Sequence, residues 1–542
     1  MDGEFDYIVV GAGSAGCVLA NRLSADPSIR VLLVEAGTKA VSFLVEMPSG
    51  YGKTIGDPAY DWCFMSEPEP RLGGRQIFTP RGKMLGGSSS INGLAYVRGH
   101  AQDFDHWRQL GNDGWSWRDA LRLYGKIENF HGSHSKNRFS DGPMHVSEMA
   151  IHPLSQRLID ASVQAGLPMG TDYNNGDPEG VGPVQSNVWQ GRRFSSYKAY
   201  LEPVLRRANL TVLSGGEVVR VQIGEGRAQG VAYRRDGQES SIAAQREVIL
   251  ACGAVNSPKL LELSGIGAAS RLVGIGIEPI ADLSGVGENL QDHLNVSLKM
   301  KLRVVASINE QMRGWRVLAH GARYALNRTG LLAVSPAQVT GYAKVMEGAA
   351  SADIQLWGVP GSVGVVKGSK GENRMEMEPH PGVTLGFDQN RPHSRGSVHV
   401  VSRDPSAAPR ILFNFLDAEV DREVVRRGLR LCRRILEQPA FDGVRDGPAG
   451  PDGAFADEAS LLAYAAQEGR SSYHVVGTCK MGTDAMSVVD PQLRVNKIEG
   501  LRVIDSSIMP SVVSANTHAA TVMIAEKGAE LVLAARNQKP RY

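Results

Sequence analysis

Residues 11–16 read GAGSAG and stand between two short apolar runs, 5–10 and 31–34, the second ending on an acid, Glu35. Strand, glycine turn, helix, strand and acid in that order can hold a dinucleotide. Gly11 permits the tight turn, Gly13 lets the main chain approach a pyrophosphate, and Gly16 lets helix and strand pack closely. The helix start adds unpaired N–H groups and a positive dipole end for the phosphates. Glu35 lies about 20 residues beyond Gly13, the separation at which an acid accepts hydrogen bonds from an adenosine ribose.

Three further stretches carry groups of this kind. Residues 80–99 read PRGKMLGGSSSINGLAYVRG. Gly86 and Gly87 allow close backbone approach, and Ser88, Ser89, Ser90 and Asn92 offer small hydrogen-bonding groups. The stretch reads equally as a second cradle, for a flat or phosphorylated ligand, or as a serine-rich helix cap. A buried-type strand at 246–251 runs into Cys252-Gly253-Ala254 and a proline-containing helix, 256–267, which again resembles the ligand-binding mouth of an α/β sheet. In the last eighty residues, SSYHVVGTCKMG (471–482) precedes a strand ending at Asp505, then the apolar helix 515–533, where the N–H groups of 516–519 could face a ligand.

The elements that must position these groups follow from hydrophobic pattern. Strands are expected at 5–10, 31–34, 210–212, 217–221 and 246–251, with helices at 17–28, 154–166, 421–437 and 515–533. Alternation such as 397–401 predicts antiparallel strands within 295–415, a plausible substrate-side sheet. The arginines of 421–437 read as a solvated helix face. Stretches 39–75 and 171–182 read as loops and 443–456 as a loop or linker; there is no internal repeat. His131, His134 and His145 have no metal-site spacing and are expected at the surface. The fold class is α/β, α+β overall.

A chain of 542 residues, 42% hydrophobic, buries more than one core. Its net charge of +2 gives no global attraction to nucleic acid or anionic lipid. No apolar run is long enough to span a bilayer, and no leader is expected before the first strand. The five cysteines, Cys17, Cys63, Cys252, Cys432 and Cys479, are scattered and form no CxxC, which suits a reducing cytoplasm.

Together these segments resemble the glucose-methanol-choline (GMC) oxidoreductase family of FAD enzymes, over essentially the whole chain. GKMLGGSSSINGLAYVRGHAQDFD matches its first signature and GAVNSPKLLELSGIG its second; YHVVGTCKMG and NTHAAT stand where the family places its catalytic pair. The N-terminal half is most similar to dehydrogenases of choline and aliphatic alcohols. The resemblance implies a Rossmann-type FAD-binding domain, at 1–150, 191–294 and 461–542, interleaved with a substrate domain on an antiparallel sheet, at 151–190 and 295–460.

By motif, the resemblance puts Gly11, Gly13, Ser14, Gly16, Glu35 and Ala36 on the ADP portion of FAD, and Val218 on its adenine. It puts Trp62, Gly86, Gly87, Ser88, Asn92, Gly93, Leu94 and Ala95 along the pyrophosphate and isoalloxazine. Tyr473, Asp505, Ser506, Asn516 and Thr517 complete that site, with His474 as catalytic base and His518 as its partner. The implied reaction oxidises an alcohol, its hydride passing to flavin N5. A neutral imidazole, of reference pKa about 6.5, can take the hydroxyl proton near neutral pH, and a second hydrogen-bonding ring would orient the oxygen.

Val475 and Ala520 stand where the family often has proline, which bears on loop stiffness. Ile91 stands where some relatives attach FAD through histidine, so FAD is expected non-covalent; His100 does not match that position. Cys479 reads as structural. The acceptor, a quinone, a dye-like acceptor or O2, is not fixed by any residue, and the resemblance favours a dehydrogenase over an oxidase. Other classes are a hydroxynitrile lyase with non-redox FAD and a non-catalytic flavin protein; the pair His474 and His518 argues against the second, and His474 against a photodecarboxylase.

Overall fold

A computed structural model of the chain describes residues 4–38, 42–133, 136–170, 172–176, 178–303, 305–367 and 373–536. Two sheets position the site. The first carries parallel strands in the order Leu210–Ser214, Val31–Glu35, Phe5–Val10, Gln238–Leu250, and Leu501–Val503 joins the last of these in parallel. Val31–Glu35 is buried at every position, as a strand covered on both faces must be, hence its unbroken apolar run.

Gln238–Leu250 is longer than its apolar end, 246–251, suggests. Its polar first half pairs antiparallel with Arg227–Arg235, which pairs in turn with Glu217–Gly224. The two connections are Glu225-Gly226 and Asp236-Gly237, all four residues at positive φ, the backbone that matches the twist of a two-residue hairpin.

The helix Ser14–Leu23 begins at the glycine turn, earlier than its apolar spacing indicates. It packs along Thr517–Arg536, where Arg22 forks onto Glu526, Nη2 to Oε1 at 2.7 Å and Nε to Oε2 at 2.9 Å.

The second sheet is antiparallel, in the order Arg470–Ser471, Leu294–Lys301, Gly382–Gln389, Ile354–Val359, Val339–Ala343, Gly180–Pro183. Its strands come from segments that alternate along the chain with those of the first, so the Rossmann-type unit and the antiparallel unit are interleaved. The two faces of Leu294–Lys301 differ by the period of two that a pleated strand imposes. Leu294, Val296, Leu298 and Met300 enter a core shared with the helix Glu419–Leu436. Asn295, Ser297 and Lys299 line a cavity on the other face. Gly428 lets helix and sheet meet, since a Cβ there would lie 2.6 Å from the Phe387 ring. The helix arginines face outward onto glutamates, with Arg427 Nε 2.6 Å from Glu423 Oε1.

Three expectations differ in detail. The 443–456 stretch contains a short helical turn, Asp452–Phe455, and the 171–182 loop ends in the strand Gly180–Pro183. His131 and His145 are not isolated surface groups. Their rings stack on Trp189, with His131 Nε2 2.6 Å from His145 Nδ1. Lys39, His134 and Thr171 lie outside the described residues.

Candidate active site

A cavity of about 1480 Å³ is lined by residues of both sheets. On the parallel-sheet side it begins at the glycine turn. Gly11 has φ of +94°, and a Cβ there would lie 2.7 Å from Ala251 O. A Cβ on Gly16 would strike Gly11 O at 1.8 Å. Gly11 and Gly16 are therefore required by packing. Gly13 is not crowded, since its nearest neighbour would be 3.9 Å away, and it borders the cavity. Its bareness leaves main chain open to a ligand. Glu35 Oε2 accepts from Ala12 N–H and Oε1 from Gly37 N–H, both at 2.8 Å. Burial nevertheless raises this carboxyl to about 7, against the two N–H groups.

The second glycine pair seats on the first. Gly86 N–H donates to Ala12 O at 2.8 Å, and a Cβ on Gly87 would lie 2.7 Å from Gly13 Cα. The serine stretch ties a turn and borders the cavity. Ser89 and Ser90 bond back to Gly86 O and Leu85 O, tying a tight turn. Gly87, Ser88 and Ser89, with Ile91 and 92–95, also line the cavity. Asn92 Oδ1 accepts from Arg193 Nη1 at 2.7 Å, and Trp62 stacks on Phe64 with Lys83 Nζ 4.2 Å from its ring centroid. Gly16 and Gly86 shape the turns without lining the cavity. Ala36, Val218, Tyr473, Ser506 and Thr517 do line it.

Asp505 fastens the strand ends together. Its Oδ2 accepts from Gly253 N–H at 2.8 Å and Ser257 Oγ–H at 2.6 Å, and Oδ1 accepts from Ser507 N–H. It thus caps the helix Gly253–Leu263 while bordering the cavity.

His474 follows a residue in left-handed backbone, Tyr473 at φ +65°. Such a conformation persists only when its surroundings hold it. Tyr473 N–H donates to Ser471 Oγ and its carbonyl accepts from Arg81 Nη2 at 2.5 Å. His474 N–H donates to Asp292 Oδ1 at 2.8 Å, and Ser471 Oγ–H donates to Oδ2 of the same carboxyl.

The side chain is fixed at both nitrogens. Nδ1 lies 3.0 Å from His293 Nδ1, and His293 Nε2 lies 3.1 Å from Asn390 O. A carbonyl can only accept, so His293 carries its proton on Nε2 and accepts at Nδ1. His474 then carries its proton on Nδ1, which leaves the lone pair on Nε2. That atom stands 2.9 Å from Asn516 Nδ2, whose own Oδ1 accepts from Gln355 Nε2 at 3.2 Å. Burial, then His293 and Arg81, holds the His474 imidazole well below its usual range. Burial brings His293 down to about 4. Both rings are neutral at neutral pH.

His518 lines the same cavity, but its hydrogen bond goes to another residue than His474. Its Nδ1 lies 3.1 Å from Ser14 Oγ, at the start of the first helix, and burial and then Arg193 lower it to about 4. The ring expected beside His474 is replaced there by Asn516. The reason is local. Asn516 precedes the first residue of Thr517–Arg536, whereas His518 is already in the helix and turns toward the glycine loop. From sequence, Asn516 reads as a flavin-site residue and helix-start N–H group of the NTHAAT motif and not as the partner of His474, and His293 carries no motif at all.

Residues 5–295 and 392–525 match the GMC oxidoreductase family in its N- and C-terminal parts. The chain is 39% identical to a protein named oxygen-dependent choline dehydrogenase from Sinorhizobium fredii, over 99% of this chain and 98% of that one. It is 38% identical to the protein of the same name from Photobacterium profundum, over 98% and 94%. Among solved structures it is similar to pyridoxine 4-oxidase from Mesorbium loti, at TM-score 0.88 and 28% identity, over 99% of this chain and 100% of that one. It is also similar to a formate oxidase, at TM-score 0.90 and 25% identity, over 99% of each chain.

Proposed function

Because the chain belongs to the GMC oxidoreductase family and is an FAD-dependent alcohol oxidoreductase, we propose that His474 removes the hydroxyl proton of the alcohol and that Asn516 orients its oxygen. The observation that carries this reading is the chain Asn390–His293–His474–Asn516, which holds an unprotonated Nε2 toward the cavity. FAD, when bound, supplies the acceptor for the hydride leaving the alcohol carbon. The bare main chain at Gly13, the seated pair Gly86-Gly87 and the Glu35 carboxylate suit its phosphates and ribose. Ser14, Ala36 and Val218 would border its ADP portion. Trp62, 92–95, Tyr473, Ser506 and Thr517 would border the ring portion. Ile91 lines the cavity with a hydrocarbon side chain, so the flavin is held without a covalent bond.

Developing alkoxide finds an N–H donor at Asn516 Nδ2 as the proton moves to His474 Nε2. The resulting imidazolium is stabilised through Nδ1–H, which donates to His293. No relative reported above is named a lyase, and the alcohol-oxidising reading is preferred to hydroxynitrile cleavage. The enzyme acts as a dehydrogenase in the cytoplasm, where five unpaired cysteines persist.

The relatives' choline does not carry over unchanged. On the antiparallel wall Arg470 Cζ lies 5.6 Å from the Trp357 ring centroid, and Arg470 Nε donates to Asn295 Oδ1 at 3.0 Å. The aromatic surface that would attract a quaternary ammonium already has a cation beside it. Asp388 accepts from Asn295 and Ser472 at 2.6 Å each, and Arg470 offsets its charge. An uncharged alcohol fits this wall. Anaerobic flavin bleaching by choline and by its neutral isostere 3,3-dimethylbutan-1-ol tests it. The isostere is expected to win, and Arg470→Gln is expected to narrow the gap. A clear preference of the unsubstituted enzyme for choline would refute the assignment.

A further inference from the structure

The three most exposed large apolar side chains among the described residues stand on one helix, Trp315–Asn327. Trp315 is 74% exposed, Leu318 76% and Leu326 81%. Their spacing places them on one face. Tyr324 alone of this helix is buried. Its ring meets Phe43, itself 53% exposed, edge-on at 5.8 Å, so the apolar surface continues beyond the helix. Residues 311–346 contain no Asp or Glu but include Arg313, Arg316, Arg323, Arg328 and Lys344. Val317 is both exposed and cavity-lining, which puts this helix on the cavity rim.

We propose that this face docks on an anionic phospholipid surface, with the apolar stripe entering the headgroup boundary and the arginines meeting lipid phosphates. A helix that buries almost none of its own apolar face and carries arginines on and beside it, with Glu310 and Glu46 as the acids nearby, has the makeup of an interfacial element. The charge argues against a second copy of the chain as occupant. A two-fold contact through this patch sets the patch against itself, and here that brings arginines toward arginines. Lipid phosphates complement them instead. Docking would turn the cavity rim toward the bilayer, giving lipid-soluble compounds direct access to the site.

The test is co-sedimentation of the FAD-loaded enzyme with phosphatidylcholine vesicles and with vesicles that also contain phosphatidylglycerol. Binding to the anionic vesicles is expected, weakening as salt screens the arginines. The triple variant Trp315→Ser, Leu318→Ser, Leu326→Ser should bind about tenfold less or weaker. Its melting temperature and flavin bleaching should be unchanged, since these side chains neither enter a core nor line the cavity. Arg316→Gln with Arg323→Gln should lose the preference for anionic vesicles. Emission from Trp315 should shift to the blue on vesicle addition and be quenched by brominated lipid. Absence of binding at low salt, or equal binding by the triple variant, would overturn the proposal. So would a concentration-dependent dimer in sedimentation velocity that the triple variant abolishes. None of these outcomes bears on the role of His474.

Discussion

His474 and His293 meet Nδ1 to Nδ1 at 3.0 Å, and the carbonyl of Asn390 on the far side of His293 decides which ring donates. A residue distant in sequence thereby sets the tautomer of the proposed base. His293 reaches His474 only through fold: it immediately precedes Leu294–Lys301, which pairs with Arg470–Ser471 just before His474.

Replacing His293 by Gln should slow flavin reduction about tenfold or more, the cost of an ill-held base at one hydrogen bond of about 1–3 kcal/mol. KM should change less than kcat, because His293 does not line the cavity. The check is stopped-flow reduction across pH. An unchanged rate and pH profile would remove His293 from the relay.

Asn516 and His518 are expected to separate cleanly. Asn516→Ala should lower the reduction rate by about 10²–10³, as for loss of one donor to a developing oxyanion. His518→Ala should act chiefly on cofactor retention, because its ring bonds to Ser14 at the glycine turn. Reduction rates measured alongside FAD affinity distinguish the two. A larger catalytic loss at 518 than at 516 would restore the pairing that motif position alone suggests.

Glu35 gives a pH prediction whose sign can be worked out. Both of its oxygens already accept N–H bonds, and ribose hydroxyls would add to them, so cofactor binding favours the charged form. Its folded pKa is raised to about 7 by burial. The acid is therefore protonated below that value, and FAD binding must expel the proton. Affinity of the apoprotein for FAD should rise from about pH 6 to about pH 8 and level off above. Glu35→Gln should bind more weakly and lose the pH dependence. Fluorescence titration of FAD reads both, and a flat profile in the unsubstituted protein would contradict the assignment.

Legibility followed the range of the interactions. The glycine turn, Glu35 and the helix behind them were readable because the turn and its spacing to the acid recur as one motif, although Gly11 is also held to glycine by distant Ala251 O. The buried strand 31–35 was readable because burial on both faces leaves an unbroken apolar run. The alternation at 397–401, by contrast, belongs to a separate pair, Ser397–His399 with Arg410–Leu412, and not to the second sheet, whose strand Gly382–Gln389 is buried at every position. The hairpins at Glu225-Gly226 and Asp236-Gly237 were readable in principle, since each is a two-residue turn ending in Gly between strands. Yet the polar strand 238–244 beside them carries no apolar signal. Asn516 against His518 could not be decided from the motif, because two residues at a helix start point in different directions and only the backbone fixes which. His293 has no local signature, and its partner is supplied by strand pairing across the second sheet.

The central claim is that the neutral imidazole at 474 takes the alcohol's proton. The direct measurement is anaerobic stopped-flow reduction of FAD-loaded His474→Ala by whichever of choline and 3,3-dimethylbutan-1-ol reduces the unsubstituted enzyme faster. The protein should remain yellow, with FAD bound, while reduction slows by about 10²–10⁴, the usual contribution of a positioned general base. A variant that keeps its flavin and is reduced at the rate of the unsubstituted enzyme would contradict the account.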